Sequence, residues 1–307
     1  MTLLDTEDFL SQTGKVTLGL ARLLLNCNKG EKLPRMIDIA RTLKSGNGTI
    51  QEAFNNLVRL RAIAVESRGS QGSHLVEVDY TLLWRYAGNE WIIGSMPLPY
   101  THRYEGLATA LYAQLEQSGV PFNMTYQRGA LSRGEMVRQK HYHYAVMSEL
   151  AAEAFSKDHP EVSIVVTLPT QSYVAEHVLI SRVPREQIRR VGVDFSSLDE
   201  VILTQEEAGI QHNWQTISVT RAQVLDLLLE DEFDAIIWNR DGVLSAPRDV
   251  LVLPLQGDER KRESATRATI VARRDAPVCN VLLSLFQQQT ITAVQQEVFH
   301  KQRFPRY

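Results

Sequence analysis

The sequence predicts an α/β protein in two parts: a small three-helix domain closed by a β-hairpin, then a larger domain of alternating strands and helices. Three observations predict it. Apolar residues recur at helical spacing three times between residues 7 and 60, and "SRGSQGSHLVEVD" (67–79) then sets a Gly-, Ser- and Gln-rich turn between two short apolar-alternating runs. From residue 91 onward, short apolar runs alternate with amphipathic stretches, the pattern of strand-helix units on largely parallel sheets. The length of 307 residues exceeds one ordinary domain and suits two, expected at 1–82 and 83–307.

The first helix is expected from about Glu7 to Asn26, with Phe9, Leu10, Val16, Leu20, Leu23 and Leu24 on its apolar face, ending at Asn28-Lys29-Gly30. A shorter helix fits Arg35 to Leu43, with Pro34 at its start, where a missing N–H costs nothing. Ser45-Gly46-Asn47-Gly48 breaks the chain, and a third helix is expected from Thr49 to Leu60, with Ile50, Ala53, Phe54, Leu57 and Leu60 inward. Ile63–Val65 and Leu75–Val78 are the hairpin strands. Three helices and a hairpin make a winged helix-turn-helix, whose third helix enters the major groove of duplex DNA.

Whole-chain charge does not advertise a polyanion partner, with 33 Lys and Arg against 36 Asp and Glu. The segment 28–74 differs: eight basic side chains against four acidic ones leave it at +4. The acidic N-terminus does not read as an export signal, and no apolar run approaches the roughly 20 residues that span a bilayer, so the expected location is the cytoplasm. Cys27 and Cys279 show no paired spacing and give neither a disulfide framework nor a zinc ribbon.

"GEKLP" (30–34), "IARTL" (39–43), "TIQEAFNNL" (49–57) and the Gly-x-x-Gly of the wing (69–72) resemble the DNA-binding domain of GntR-type bacterial regulators over residues 28–78. That family places arginines near positions 37, 47 and 51, where this chain has Ile37, Asn47 and Gln51. With those arginines absent, either Arg35 and Lys44 take over part of the guanine readout or Asn47 and Gln51 read adenine instead. The expected DNA-facing set is Arg35, Lys44, Asn47, Thr49, Gln51, Asn55 and Arg59, with Arg68 and the backbone amides of 69–73 at the wing.

In the larger part, strands are expected at Trp91–Gly94, Phe122–Tyr126, Tyr142–Val146, Ser163–Thr167, Ile188–Val193, Gln215–Val219, Ala235–Trp238 and Val250–Leu253. Helices fit Glu105–Gln117, Ser148–Ser156, Ser197–Glu207, Thr220–Leu229 and Val278–Phe299. Two strand-helix sets with a late return resemble a two-lobed type 2 periplasmic-binding-protein-like domain. The resemblance implies lobe I at about 88–168 and 242–307 and lobe II at about 169–241, with crossings near Leu168 and Asn239. Together with the amino-terminal part, "IGSMPLPYTHRYEGLATAL", "RGALSRGEMV" and "DAIIWNRDGV" resemble the YhfZ family of bacterial transcriptional regulators over most of the chain.

A ligand of such a sheet sits at the carboxyl ends of its strands. The candidates there are Ser95, Tyr104, Glu105, Arg128, Ser148 and Glu149 from lobe I, and Thr170, Ser172, Tyr173, Asp194, Asn239 and Arg240 from lobe II. Each alone also fits a cap, a turn or a surface charge. Arg128 suits a carboxylate or phosphate. His141 and His143 would share one face of a strand, but no carboxylate or cysteine stands at ligand spacing, so no metal is expected. No nucleophile elbow, phosphate loop or dinucleotide fingerprint is present, and neither enzyme activity nor a cofactor is expected. The reading is a homodimeric regulator that binds double-stranded DNA and responds to a small polar or anionic effector between its lobes. An enzyme, or a metabolite-binding protein that never touches DNA, is the alternative.

Overall fold

The structure, a computed structural model, describes residues 10–89, 91–211, 214–220, 224–245 and 250–307. It divides into two compact units, one of Met1–Trp91 with Ser118–Pro121 and Ala276–Leu285, the other of Ile92–Gln117, Phe122–Asp275 and Phe286–Tyr307.

In the first unit, α1 (Gln12–Leu24) starts later than expected because the Ser11 hydroxyl accepts the Gly14 amide at 3.1 Å and caps the helix there. Glu7 and Phe9 lie outside the described residues, and Leu10 is exposed rather than inward. Pro34 precedes the Arg35 cap of α2 (Met36–Thr42) instead of opening the helix. The third helix, α3 (Asn47–Arg59), begins two residues early on Gly46 and buries Ile50, Ala53, Phe54 and Leu57. It packs against Val16, Leu20 and Leu24 of α1. Leu60, expected inward, stands exposed past its end.

Strands β1 (Ile63–Ser67) and β2 (Ser73–Val78) pair antiparallel, Ile63 opposite Val78 and Ser67 opposite Ser73. Residues 30–33 flank β2, with Leu75 donating to the Glu31 carbonyl and Leu33 to that of Ser73. An unexpected helix, α4 (Tyr80–Tyr86), is capped by Asp79 and tied to the first helix by Arg22 Nε donating to the Ala87 carbonyl at 2.8 Å. A late helix, Val278–Leu285, packs on α4, and its Asn280 donates to the Leu25 carbonyl.

The second unit runs β3 (Ile92–Met96), α5 (His102–Ser118), β4 (Phe122–Tyr126), α6 (Ala130–Arg138), β5 (Tyr144–Ser148), α7 (Glu149–Asp158) and β6 (Val162–Thr167). It continues through β7 (His177–Ser181), β8 (Arg190–Val193), α8 (Leu198–Gln211), β9 (Gln215–Ser218), α9 (Val224–Leu229), β10 (Ala235–Asn239) and β11 (Leu251–Pro254). The chain then forms α10 (Glu259–Ser264), β12 (Ala268–Arg273), the late helix α11 (Val278–Leu285) and α12 (Gln288–Phe299).

Two five-stranded sheets result, ordered β4-β3-β5-β12-β6 and β9-β8-β10-β7-β11. Each places its own strands second, first, third and fourth, with a strand from a crossing segment inserted antiparallel between the last two. The sheets are therefore mixed rather than largely parallel. Two lobes share one topology, and two connections join them. These run side by side: Leu168 donates to the Ala268 carbonyl and Tyr173 to that of Thr266, each at 2.8 Å.

Several expectations need correction. Because β11 pairs with β7, the return crossing follows Pro254 and is not near Asn239. The expected 278–299 helix breaks at Phe286-Gln287 into α11 and α12, and α12 turns Ile291, Val294 and Val298 inward. Trp91 is exposed and outside β3. Strand β5 starts at Tyr144, so His141 and His143 do not share a strand face.

Instead the His143 Nδ1 accepts the Ile93 amide at 3.0 Å, and burial holds the imidazole below its ordinary pKa. A depressed histidine contributes stability that is complete above the unfolded value near 6.5 and is lost as pH falls through the folded value. Melting temperature should therefore decline below about pH 6.5, and His143→Gln, which can keep an acceptor there, should flatten that decline. An unchanged slope in a pH series of thermal melts would contradict this role.

Candidate functional site

The polar face of α3 is the first candidate surface. Asn47, Gln51, Asn55 and Arg59 are exposed at four-residue intervals on one side of the helix, while Thr49, expected among them, is half-buried. Gln51 Nε2 donates to Asn55 Oδ1 at 3.3 Å and Arg59 Nη2 to Asn56 Oδ1 at 3.0 Å. Both are light, solvent-facing bonds that base edges or phosphates can replace at little cost. The helix opens on Gly46 with no side-chain cap, which leaves its first amides open to an anion. Arg35 and Lys44 are exposed beside it, Lys44 at φ +48 in the turn that delivers α3.

At the wing, Gly69 (φ +57) and Gly72 (φ +90) take backbone conformations that L side chains resist, which explains the Gly-x-x-Gly spacing. Arg68 is exposed and pairs with Glu66 at 2.8 Å. Two amides expected to face phosphate are used by the turn itself: Gln71 donates to the Arg68 carbonyl and Gly72 to that of Gly69.

The second candidate is a cleft of about 240 Å³ between the two lobes, somewhat smaller than the roughly 300–1,000 Å³ usual for small-molecule sites. Five expected residues line it: Tyr104, Arg128, Tyr173, Asp194 and Asn239. They come together because β4, β8 and β10 end at the same rim and the crossing segment passes behind it. Asp194 Oδ1 accepts the Ser196 amide at 2.9 Å and its hydroxyl at 2.6 Å. Asn239 is 3% exposed; its Oδ1 accepts the Asp241 amide at 2.8 Å, so its Nδ2 is fixed as the donor, with no partner among the described residues.

The other expected residues have structural places. Ser95 is buried in β3 and Glu105 meets His102 at 2.8 Å. The Ser148 hydroxyl caps α7 and donates to Asp199 Oδ1 across the lobes. Glu149 faces Arg267 at 3.5 Å, and burial raises its pKa against that guanidinium. Thr170 is exposed, the Ser172 hydroxyl braces the crossing by accepting the Ala268 amide, and Arg240 pairs with Glu176.

The lining also contains groups the sequence reading passed over. Arg133, 2% exposed, donates Nε to the Val146 carbonyl at 3.0 Å, Nη1 to that of Gln127 at 2.7 Å and Nη2 to the Tyr173 hydroxyl at 3.2 Å. Burial pushes the Tyr173 phenol upward, opposed by the Arg133 charge and reinforced by that of Asp199. Asp199 and Glu200 are buried at the start of α8. Tyr100, Tyr104 and Tyr173 form an edge-to-face series with centroids 5.4 and 5.1 Å apart, and Trp238 joins the lining. The one sequence signal for this group was "DFSSLDE" (194–200), a cap motif with two further carboxylates. Among the described residues no three His, Cys, Asp or Glu side chains gather as a metal set, and no helix is long and apolar enough to cross a membrane.

A helix-turn-helix joined to a binding-protein-like fold defines the class: such a helix indicates DNA binding and such a cleft indicates ligand binding. Residues 28–75 match the Helix-turn-helix domain model, and residues 79–307 match that of the YhfZ C-terminal domain. The chain belongs to the YhfZ family. It is 32% identical over 305 residues to YhfZ of Escherichia coli (strain K12), covering 97% of this chain and 99% of that one. The crystal structure of YhfZ from Shigella flexneri superposes at a TM-score of 0.65 with 31% identity, over 74% of this chain and 97% of that one. An ancestral arginine-binding protein bound to arginine shares the fold at a TM-score of 0.50 and 11% identity, over 69% of this chain and 98% of that one.

Proposed function

We propose that this chain is a ligand-responsive transcriptional regulator of the cytoplasm and not an enzyme. In this reading it binds duplex DNA as a homodimer through α3 and a GntR-type wing. A small polar or anionic metabolite closes the cleft between the two lobes. The observation that carries the reading is the exposed face Asn47, Gln51, Asn55 and Arg59 in the same chain as a lined, inter-lobe cleft. Two copies would place two such faces on a pseudo-palindromic site. Ligand closure alters DNA affinity only to the extent that the ligand prefers one lobe arrangement.

Footprinting on the region upstream of the chain's own coding sequence tests it. A protected, two-fold symmetric site supports the reading, and no protection even at low salt defeats it. Arg59→Ala should weaken that binding roughly threefold to tenfold and reduce the slope of log affinity against log salt by about one, because one phosphate contact is lost. An unaltered affinity and slope would remove Arg59 from the interface.

A further inference from the structure

Most polar groups in the wall of the inter-lobe cleft already have partners within the protein. Asp194 accepts the Ser196 amide and hydroxyl, Asp199 accepts the Ser148 hydroxyl, and Glu200 accepts the Asp194 amide at 3.3 Å. Asp199 and Glu200 also stand in the first turn of α8, where the helix dipole favours negative charge. Arg133 is committed to two carbonyls and the Tyr173 hydroxyl. Tyr100, Tyr104, His177 and Trp238 in the same lining have interactions of their own.

Two lining side chains keep donors that no described residue receives, and they come from opposite lobes. Arg128 follows β4 in lobe I; it is exposed and makes no hydrogen bond or ion pair among the described residues. Asn239 closes β10 in lobe II at 3% exposure, with its Oδ1 held by the Asp241 amide. Its Nδ2 is therefore a buried donor without an acceptor, which is costly until an oxygen meets it. Helix α6 adds further donors, because it opens on Gly129 with no side-chain cap, and Gly129 and Ala130 both line the cleft. Guanidinium, amide and helix start all suit one oxyanion, and the planar fork of Arg128 matches a carboxylate. Leu98, Val174 and Trp238 offer bare sulfate or phosphate nothing to bond, whereas a carbon body buries apolar surface against them.

We infer that the cleft takes a small organic acid whose carboxylate bridges the lobes: Arg128 and the first amides of α6 meet it from lobe I, Asn239 donates to it from lobe II, and its carbon body lies against Leu98, Val174 and Trp238. This rests on the proposed sensing role of the same cleft. Beyond that role, it requires a carboxylate on the ligand and assigns the donors that hold it.

The test is calorimetry and thermal melting of the full chain with acetate, butyrate, hexanoate, benzoate, phenylacetate, pyruvate and succinate, with the amides of the same acids, and with inorganic sulfate, inorganic phosphate and ribose. At least one acid should bind and raise the melting temperature by roughly 5 °C at a hundredfold excess over its Kd, whereas its amide, sulfate, phosphate and ribose should not. Arg128→Gln should weaken that acid by about tenfold or more and leave the melting temperature of the free protein unchanged, because the side chain is exposed and unbonded. Asn239→Asp keeps the acceptor for the Asp241 amide but turns the donor into an oxygen, and should weaken the acid at least as much; if that variant fails to fold, Arg128→Gln decides alone. Binding of an amide, sulfate, phosphate or ribose as tight as that of any acid overturns the inference and leaves a sensing cleft in place. So does full-strength binding of the acid by Arg128→Gln. If nothing in the panel binds, native mass spectrometry of freshly purified protein separates the cases. A retained carboxylic acid that Arg128→Gln loses upholds the inference, and one that Arg128→Gln keeps overturns it. A retained molecule without an acid group ends the inference alone, and no retained molecule ends both it and the sensing role.

Discussion

Arg133→Met should destabilise the protein by about 3–5 kcal/mol, because it strips the charge and every donor from the center of the second unit while leaving the partners buried. The side chain is 2% exposed and joins three places: the end of β4 through the Gln127 carbonyl, β5 through that of Val146, and the lobe crossing through Tyr173. Methionine fills much of the volume but removes the donors that the Gln127 and Val146 carbonyls and the Tyr173 hydroxyl accept from. In a unit of this size each kcal/mol corresponds to roughly 2–4 °C, so the melt should fall by about 6–20 °C. Arg133→Lys should recover part of it, since an ammonium keeps the charge but not the three-direction fork. A shift under 2 °C for the methionine variant would mean that these bonds are not what holds the lobe root together.

Gly129→Ala should cost ligand affinity at least tenfold while leaving the secondary structure unchanged. Gly129 caps α6 at φ +80, and an added Cβ would lie 3.1 Å from the Cβ, the Oγ and the carbonyl oxygen of Ser196. Two effects combine. The left-handed backbone is costly for any L side chain, by about 1–2 kcal/mol, and the new carbon presses lobe I against lobe II at the mouth of the cleft. Ser196 cannot yield freely, because its amide and hydroxyl both bond Asp194, so the lobes must separate or the Asp194 rim of the cleft must move. Calorimetry with the small molecule that native mass spectrometry finds retained by the unmodified protein reads this directly. Equal affinity in the variant would show that the close approach of Gly129 and Ser196 is not part of the bound state.

Legibility in the sequence followed the range of the signal. The first three helices and the hairpin were readable because periodicity, Gly46 and the wing glycines act over a few residues. Helix α4 was missed although Asp79 is an ordinary cap, since its seven residues "YTLLWRY" are too short to show a period. Strands β7 and β12 were missed for a topological reason. Each is the antiparallel strand inserted after a crossing, and nothing in "HVLIS" or "ATIVAR" says which sheet it will join.

The cleft divides the same way. Tyr104, Arg128, Tyr173, Asp194 and Asn239 were found by their position at or beyond strand ends, a rule of the fold that needs no distances. Arg133, Asp199 and Glu200 lie within helices, where a charged residue reads as a wet face. Only the packing of two lobes turns them inward. Ser148 shows the converse: it closes β5 at the expected strand end, but its hydroxyl holds Asp199 and the helix behind it rather than facing the cavity.

Fluorescence anisotropy of a labelled duplex from the chain's own upstream region, titrated with full-length protein at several salt concentrations with and without the small molecule found to bind, tests the central claim most directly. The account predicts saturable binding that weakens linearly in log salt and a Kd that moves at least fivefold when that ligand is added. A flat anisotropy up to about 10 μM protein at roughly 50 mM salt, or a Kd indifferent to a ligand that demonstrably occupies the cleft, would contradict it.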